Sequence, residues 1–403
     1  MGNNSIQTSW PRQTSNLNNS ANASLPTANT PAPAVGGNRP LPYPSDADWQ
    51  RAWDDLPDRD IDWSSGSHLP AMDPQAERIA EVKRATDAKV QAKLDAVHDR
   101  FSGPYKVKGE QAPVPARPMF RMNVPDTLSA KNAEDHKNEL VKICKKAGIP
   151  GNVINNARVG RPTPQELVKV TQALIDAGKL PDADATLNTV EKRIRQMQFD
   201  WGIGVDCAGY VREAAVAVHG NGAQPLVNGA NRSGAIHSIL QTPAFKKVAF
   251  KEDADPRVHN IRDIRTGDII HLDSKNPKGV GHNAIVHSHE VATDSRRDEL
   301  WDRAKRSTDL LTNLVTGTDV DGFFCGKGPF HVLNVDSSWG VDPAGVEHGG
   351  FRRDMWVYDE STGKWGTFLP GRPVSPDQPV FITSQTGPYN HVFKDAFRPA
   401  SEK

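Results

Sequence analysis

The sequence predicts an α+β fold in which one helix packs on an antiparallel sheet, preceded by a small helical bundle and a disordered N-terminal tail. Three observations lead to this prediction. Residues 1 to about 45 are rich in Asn, Ser, Thr and Pro and hold almost no large apolar side chain. Residues 128 to 197 show helical spacing of apolar residues. From Phe199 onward, one apolar helix is followed by short strands between Gly, Pro and Asp turns.

Composition limits the classes of partner. The chain has 403 residues, enough for two or three domains, and its 49 basic and 49 acidic residues cancel. We therefore expect no nucleic acid partner. No apolar run approaches the roughly 20 residues of a membrane-spanning helix, so we also expect no membrane span. The three cysteines show neither disulfide nor metal-ligand spacing, and no metal or cofactor is implied.

The first 73 residues are expected to form a disordered or loosely packed polar region. They lack the pattern of a cleavable signal peptide. Their composition is similar to that of export signals of bacterial specialised secretion systems, although an inert tail fits equally well. Trp49, Trp53 and Trp63 indicate a segment that docks on the main body or on a partner. We therefore predict synthesis in the cytoplasm and specialised export, with this region contacting a secretion apparatus or a chaperone.

Residues 74–125 are expected to form a helix and a linker. Pro74 to Phe101 has helical spacing but a thin apolar face, which is typical of a surface helix or a linker rod. Gly103 to Pro125 is rich in proline and should be an extended linker.

Residues 126–198 are predicted to form a helical subdomain. A first helix ends at Gly148, and a third covers Asp184 to Met197. Between them, Thr163-Pro164-Gln165-Glu166 has the sequence of a capping box with proline in the first turn, and Gly178 ends the helix that follows. The pattern favours a stabilising subdomain over a substrate-docking segment or a prodomain.

Cys207 is the candidate nucleophile. It follows a Gly-rich turn and begins a helix whose apolar residues are three and four positions apart. The positive end of a helix dipole stabilises a thiolate, so we expect a lowered pKa for this thiol. Cys144 lies in an apolar helical run and is expected to serve packing alone.

His282 is the candidate base for this nucleophile, because it lies where a glycine turn becomes a short apolar strand. A later strand carries Asn334 and Asp336, which are two residues apart and so share a face. Either side chain could hold the imidazole in one tautomer. The predicted strands are Ile269–Leu272, Ala284–His287, His331–Val335, Met355–Tyr358 and Val380–Ile382.

Four short motifs follow one another along the chain: Trp201-Gly202, Asp206-Cys207-Ala208-Gly209, Gly267-Asp268-Ile269 and Gly281-His282 to Val286. Together they resemble the NlpC-type peptidoglycan cysteine peptidases, a papain-like superfamily that includes the CHAP amidases. The resemblance covers residues 199–397 and implies a papain-like core. It also implies that Cys207 is the nucleophile, that His282 is the base and that the next strand supplies a third residue. Alignment favours Asn334 for that place, and charge favours Asp336.

The chain departs from the family at three points, one of which is that Trp201-Gly202 lies closer to the cysteine than in many members. Ala208 stands where the family usually has Ser, and a long gap after Cys207 indicates an inserted loop from Gly220 to Pro256. These departures concern the substrate subsite more than the chemistry. Asp206 could bind a substrate amine or cap the helix. Trp201 and Trp339 could line a groove, although abundant aromatic residues more often belong to a core.

The resemblance implies a cysteine hydrolase that cleaves amide bonds in peptidoglycan stem peptides or crosslinks. A secreted effector that acts as a protease or deamidase on a host protein is an alternative. A catalytically inactive binding module is another.

Overall fold

The computed structural model describes residues 74–121, 128–229, 235–252, 255, 257–275, 281–309, 320–326, 328–339, 349–369, 380–384, 387–388 and 391–402. The predictions made for residues 1–73, including Trp49, Trp53 and Trp63, lie outside the described residues. The described part has the expected α+β composition, with helices against an antiparallel sheet. None of its helices combines the length and apolar character that crossing a membrane requires.

Eleven α-helices lie in the described residues. They are α1 (Pro74–Phe101), α2 (Leu128–Asp135), α3 (Lys137–Lys146), α4 (Gly151–Arg158), α5 (Pro164–Asp176), α6 (Val190–Asp200), α7 (Cys207–His219), α8 (Gln224–Gly229), α9 (Ala235–Leu240), α10 (Asp294–Asp309) and α11 (Val320–Phe324). Two short 3₁₀ turns lie at Gly220–Ala223 and Ile261–Asp263.

The described strands form one antiparallel sheet of nine strands. They are β1 (Phe245–Lys251), β2 (Val258–His259), β3 (Ile269–Ser274), β4 (His282–Ala292), β5 (Phe330–Trp339), β6 (Gly350–Asp359), β7 (Lys364–Leu369), β8 (Val380–Ser384) and β9 (His391–Pro399). Their order across the sheet is β2-β1-β9-β3-β4-β5-β6-β7-β8. All five predicted strands are present, and β1, β2, β7 and β9 were not predicted. The expected inserted loop at 220–256 is wrong in part, because this stretch contributes α8, α9 and β1.

The two faces of the sheet carry different cores. Ile269 and Ile285 pack with residues of α7 on what we call the helix face. Ile270, Ala284 and Val286 pack on the opposite face, in a core that contains several large aromatic side chains. Neighbouring residues of a strand point to opposite faces, so this assignment fixes the direction of the β4 side chains from His282 to Val286, before the register shift that precedes Ser288.

Helix α1 is not a surface rod. Its first half is largely exposed, but Leu94, Val97 and Phe101 are fully buried on the helix face beside α7. The ring of Phe101 contacts the rings of Tyr210 and Phe351. Three apolar positions in two turns are too few to give a strong pattern in 28 residues, which is why the sequence underestimates this helix.

The stretch after α1 is packed rather than a free linker. Tyr105 forms an isolated bridge with Val114, and Phe120 forms one with Val205 immediately before the candidate nucleophile. Tyr105 also belongs to the core of the helical subdomain. The helical subdomain itself has the predicted capping box, in which the Thr163 hydroxyl accepts from the Glu166 N–H at 3.3 Å and the Glu166 carboxylate accepts from the Thr163 N–H at 2.8 Å.

Candidate active site

The turn before α7 fixes Cys207 at the start of the helix. Asp206 is the N-cap, and its carboxylate accepts from the Gly209 N–H at 2.5 Å and from Arg161 at 2.9 Å. Asp206 is 3% exposed, so these contacts make it a buried cap rather than a group open to a substrate amine. A Cβ atom at Gly209 would collide with the carbonyl oxygen of Gly160. The glycine of this motif is therefore explained by close packing.

The electrostatics of the thiol differ from the sequence expectation. Burial raises the pKa of Cys207 to about 12, and the neighbouring Asp206 carboxylate acts in the same direction. The backbone N–H groups of Ala208 and Asn283 oppose this rise by donating to the sulfur. The expectation of a lowered pKa is therefore wrong for this structure, because burial and Asp206 outweigh the start of the helix. The resting group is a neutral thiol.

The backbone of Asn283 links the candidate residues through a chain of contacts. Its N–H group contacts the Cys207 sulfur, and its carbonyl oxygen accepts a hydrogen bond of 2.6 Å from the Ser337 hydroxyl. The same hydroxyl lies 2.8 Å from Nε2 of His282. Ser338 holds the other side of the site, since its hydroxyl donates to the Val205 carbonyl at 2.8 Å. Strand β5 thus contacts both the turn before Cys207 and the imidazole of His282.

Proton counting fixes the tautomer of His282. A serine hydroxyl has one proton, and Ser337 uses it on the Asn283 carbonyl, which can only accept. The oxygen of Ser337 must therefore accept from Nε2 of His282, so Nε2 carries the proton of the neutral ring. This leaves Nδ1 with a lone pair. An imidazole in this tautomer can act as a base through Nδ1.

The ring of His282 is held neutral by its surroundings. It is stacked on Trp339, with 3.5 Å between ring centroids, and Arg352 covers the tryptophan ring at 5.0 Å. Burial lowers the pKa of His282 well below its usual value, and His391, Arg352 and His271 add to this effect through charge repulsion. Among the described residues, no carboxylate opposes them. Trp339 therefore lies at the candidate site, as the sequence allowed, and packs on the ring of His282.

The two candidates for a third residue have other partners. The amide of Asn334 donates to the Ser288 hydroxyl at 2.8 Å. Asp336 accepts from Arg353 at 2.7 Å and contacts the Tyr210 hydroxyl at 3.5 Å. Neither Asn334 nor Asp336 reaches His282 through these bonds.

Strand register explains this result. Asp336 pairs with Ile285 across β4 and β5, and Ile285 lies on the helix face. His282 shares the opposite face with Ala284, so Asp336 has the wrong parity to reach it. Ser337 has the right parity, one position further along. The sequence contained this possibility, since Ser337 and Asp336 are neighbours, but register depends on pairing between distant segments.

Two further motif residues serve the fold. Trp201 lies in the core of the helical subdomain, where its ring contacts that of His136 at 4.8 Å. It is therefore placed away from His282 and its partners. Asp268 of the Gly-Asp motif is fully buried and accepts from Arg398 at 2.7 Å, while its carbonyl accepts from the Val286 N–H. This motif joins β3, β4 and β9.

A second polar group borders the thiol on the helix face, and sequence reasoning missed it. Oδ1 of Asn283 lies 3.0 Å from Nδ1 of His271, and Nε2 of His271 lies 3.0 Å from Asp273. His271 and Asn283 are cross-strand partners in β3 and β4. A polar pair at these positions in two otherwise apolar strands is the signal that could have found it.

Within the residues that the structure describes, no hydrogen bond joins the Cys207 thiol directly to an imidazole, and no cluster of side chains suits a metal ion. Comparison with known proteins adds no family, because no family model, no curated protein and no solved structure matches the chain.

Proposed function

We propose that the protein is a cysteine hydrolase that cleaves amide bonds and that its active site is built around Cys207 and His282. The observation that carries this proposal is the backbone of Asn283, which contacts the Cys207 sulfur with its N–H and the Ser337 hydroxyl with its carbonyl. Ser337 in turn contacts His282. These contacts link a thiol at a helix start to an imidazole of defined tautomer, and the direct thiol–imidazole contact of a papain-like core remains part of the proposal.

The proposed reaction starts from a neutral thiol and a neutral imidazole. The sulfur of Cys207 adds to the carbonyl carbon of the substrate while the thiol proton passes to Nδ1 of His282, and for this step the ring has to turn around the start of β4 toward the helix face. The electron pair of the carbonyl moves onto its oxygen. When the intermediate collapses, the C–N bond breaks and His282 returns the proton to the leaving amine. Water then hydrolyses the thioester by the same route.

Ser337 takes the place of the third residue in this mechanism. It accepts from Nε2 of His282 and so keeps Nδ1 available for the thiol. A hydroxyl carries no charge, so it stabilises the imidazolium less than a carboxylate would. We therefore expect slower turnover than an enzyme with an anionic partner would show.

The four sequence motifs support peptidoglycan stem peptides or crosslinks as the substrate. The test is incubation of the full chain with purified sacculi, followed by separation and mass spectrometry of the released muropeptides. Release should be lost in Cys207→Ala and in His282→Ala and kept in Cys325→Ala, which removes an exposed thiol. Release by Cys207→Ala at the wild-type rate would contradict the proposed nucleophile.

A catalytically inactive binding module is the second candidate. The raised pKa of the buried Cys207 thiol, to about 12, favours it. This candidate expects cosedimentation with sacculi without release of products, and equal binding by the wild type and Cys207→Ser. Detection of a thioester on Cys207 with any peptide amide would exclude it.

A further inference from the structure

We infer that the side-chain amide of Asn283 is a catalytic group that binds the oxyanion formed during attack by Cys207, and that His271 and Asp273 position it. The inference rests on the proposed function. It starts from the need for two donors near the carbonyl oxygen of the substrate, since such donors stabilise the charge that appears only in the transition state.

The first donor is the backbone N–H of Cys207. The first N–H groups of a helix have no partner within the helix. At the start of α7, the Asp206 carboxylate accepts from Gly209, and the N–H of Ala208 contacts the Cys207 sulfur. The N–H of Cys207 has no partner anywhere in the described part of the chain. It is therefore available to a bound carbonyl oxygen.

The second donor is Nδ2 of Asn283. The side chain lies on the helix face, the same side of the sheet as α7, and the backbone N–H of the same residue contacts the Cys207 sulfur. Oδ1 is bound to His271 on β3, so the amide nitrogen is turned away from β3. The backbone groups of Asn283 that contact Cys207 and Ser337 also point away from β3.

Nδ2 of Asn283 is also free to donate to a ligand. It makes no hydrogen bond to any described residue, and it is absent from the buried side-chain atoms that lack a partner. It therefore borders accessible space, although Asn283 as a residue is only 7% exposed. An amide whose oxygen is bound and whose N–H groups face open space beside a thiol has the geometry of an oxyanion donor.

His271 and Asp273 determine which end of the amide faces the thiol. The Asp273 carboxylate can only accept, so Nε2 of His271 carries a proton. The other nitrogen, Nδ1, faces Oδ1 of Asn283, which also only accepts, so this contact needs a proton on Nδ1 as well and both ring nitrogens of His271 donate. The ring is held in place by stacking on His237 at 3.8 Å and by Gly281, where a Cβ atom would lie 2.9 Å from the ring. These contacts keep Oδ1 of Asn283 directed toward His271 on β3.

The test is steady-state kinetics of the full chain on the muropeptide substrate that the wild type cleaves. Asn283→Ala should lower kcat by about 100- to 1,000-fold with little change in KM, because the donor acts on the transition state. Asn283→Asp should lose at least as much, since its oxygen would repel the oxyanion. Asn132→Ala is the matched control, because it removes a half-buried amide that donates to the Phe199 carbonyl in the helical subdomain.

A double-mutant cycle separates positioning from a structural effect. His271→Phe should lower kcat when Asn283 is present and should add no further loss in the Asn283→Ala background. His271→Gln, which can still donate to Oδ1, should recover part of the activity.

Two outcomes overturn the inference. One is wild-type kcat in a folded Asn283→Ala variant while Cys207→Ala is inactive, which leaves the proposed hydrolase standing. The other is additive loss in the double variant, which removes the positioning role of His271. A wild-type protein that cleaves no peptide amide and forms no adduct with a peptide aldehyde at Cys207 removes the proposed function together with the inference.

Discussion

Replacement of Asp206 by Asn should destabilise the protein and activate its thiol at the same time. The carboxylate of Asp206 lies 2.9 Å from Arg161, and the two side chains are 5% and 7% exposed. Asparagine is as good an N-cap as aspartate, so the bond to the Gly209 N–H is kept. The substitution therefore removes one buried charge and little else.

The expected loss in the free energy of unfolding follows from breaking the ion pair between Asp206 and Arg161. Removing one partner of a buried ion pair costs about 3–5 kcal/mol, because the remaining charge is left uncompensated. Burial raises the pKa of Asp206 even with Arg161 beside it. Part of the attraction between the two side chains is therefore already used to offset the desolvation of the carboxylate. We therefore expect a loss near the lower end, about 3 kcal/mol in the free energy of unfolding, measured by urea denaturation.

The second expected effect concerns the Cys207 thiol, which should become more reactive although the protein becomes less stable. Asp206 helps to raise the pKa of Cys207, so its removal should lower that pKa and shift the pH profile of alkylation to lower pH. Mass spectrometry after iodoacetamide treatment measures the profile. Asp184→Asn is the control, since this exposed carboxylate caps a turn through the N–H groups of Thr186 and Leu187. Unchanged stability, or an unmoved Cys207 profile in Asp206→Asn, would refute the reasoning.

Three further results are expected. Leu94→Ala should lower the free energy of unfolding by about 2–5 kcal/mol, because the side chain is fully buried, whereas Val82→Ala, at 37% exposure, should change it by less than about 0.5 kcal/mol; equal urea midpoints would show that α1 is not part of the core. Ser337→Ala should lower kcat about tenfold by removing the acceptor from Nε2, and Ser337→Thr should retain activity; wild-type kcat in the alanine variant would contradict the tautomer assignment. In the native protein the exposed Cys325 should be alkylated first, and the rate at Cys207 should rise about tenfold per pH unit up to about pH 12, where its thiolate becomes the main form; a plateau near neutral pH would contradict the raised pKa.

The parts of the fold that follow from local chemistry were predictable. Thr163 and Glu166 form the capping box that their spacing predicts, because both bonds lie within one turn of chain. The helix begins at Cys207 as predicted, and β4 begins at His282, two residues before the predicted Ala284. In each case the deciding signal is a few neighbouring residues.

The parts that depend on distant segments were not predictable. Asp336 and Ser337 differ by one position, and only the pairing of β5 with β4 decides which of them faces His282. Likewise, the pKa of Cys207 depends on burial by segments far along the chain and on the Arg161–Asp206 pair. A sequence pattern can indicate a candidate nucleophile and a candidate base, but it does not give the electrostatic environment that surrounds them.

The burial of α1 against α7 has a consequence for dissection of the chain. A fragment that begins at Phe199, where the recognisable motifs begin, would lack Leu94, Val97 and Phe101 and would expose the rings of Tyr210 and Phe351. It would also lose Asp95, whose carboxylate contacts Arg353 at 2.7 Å and His287 at 3.2 Å. Newly exposed aromatic surface of this kind promotes aggregation. The smallest autonomous unit should therefore start before α1, more than 100 residues upstream of the cysteine that defines the site.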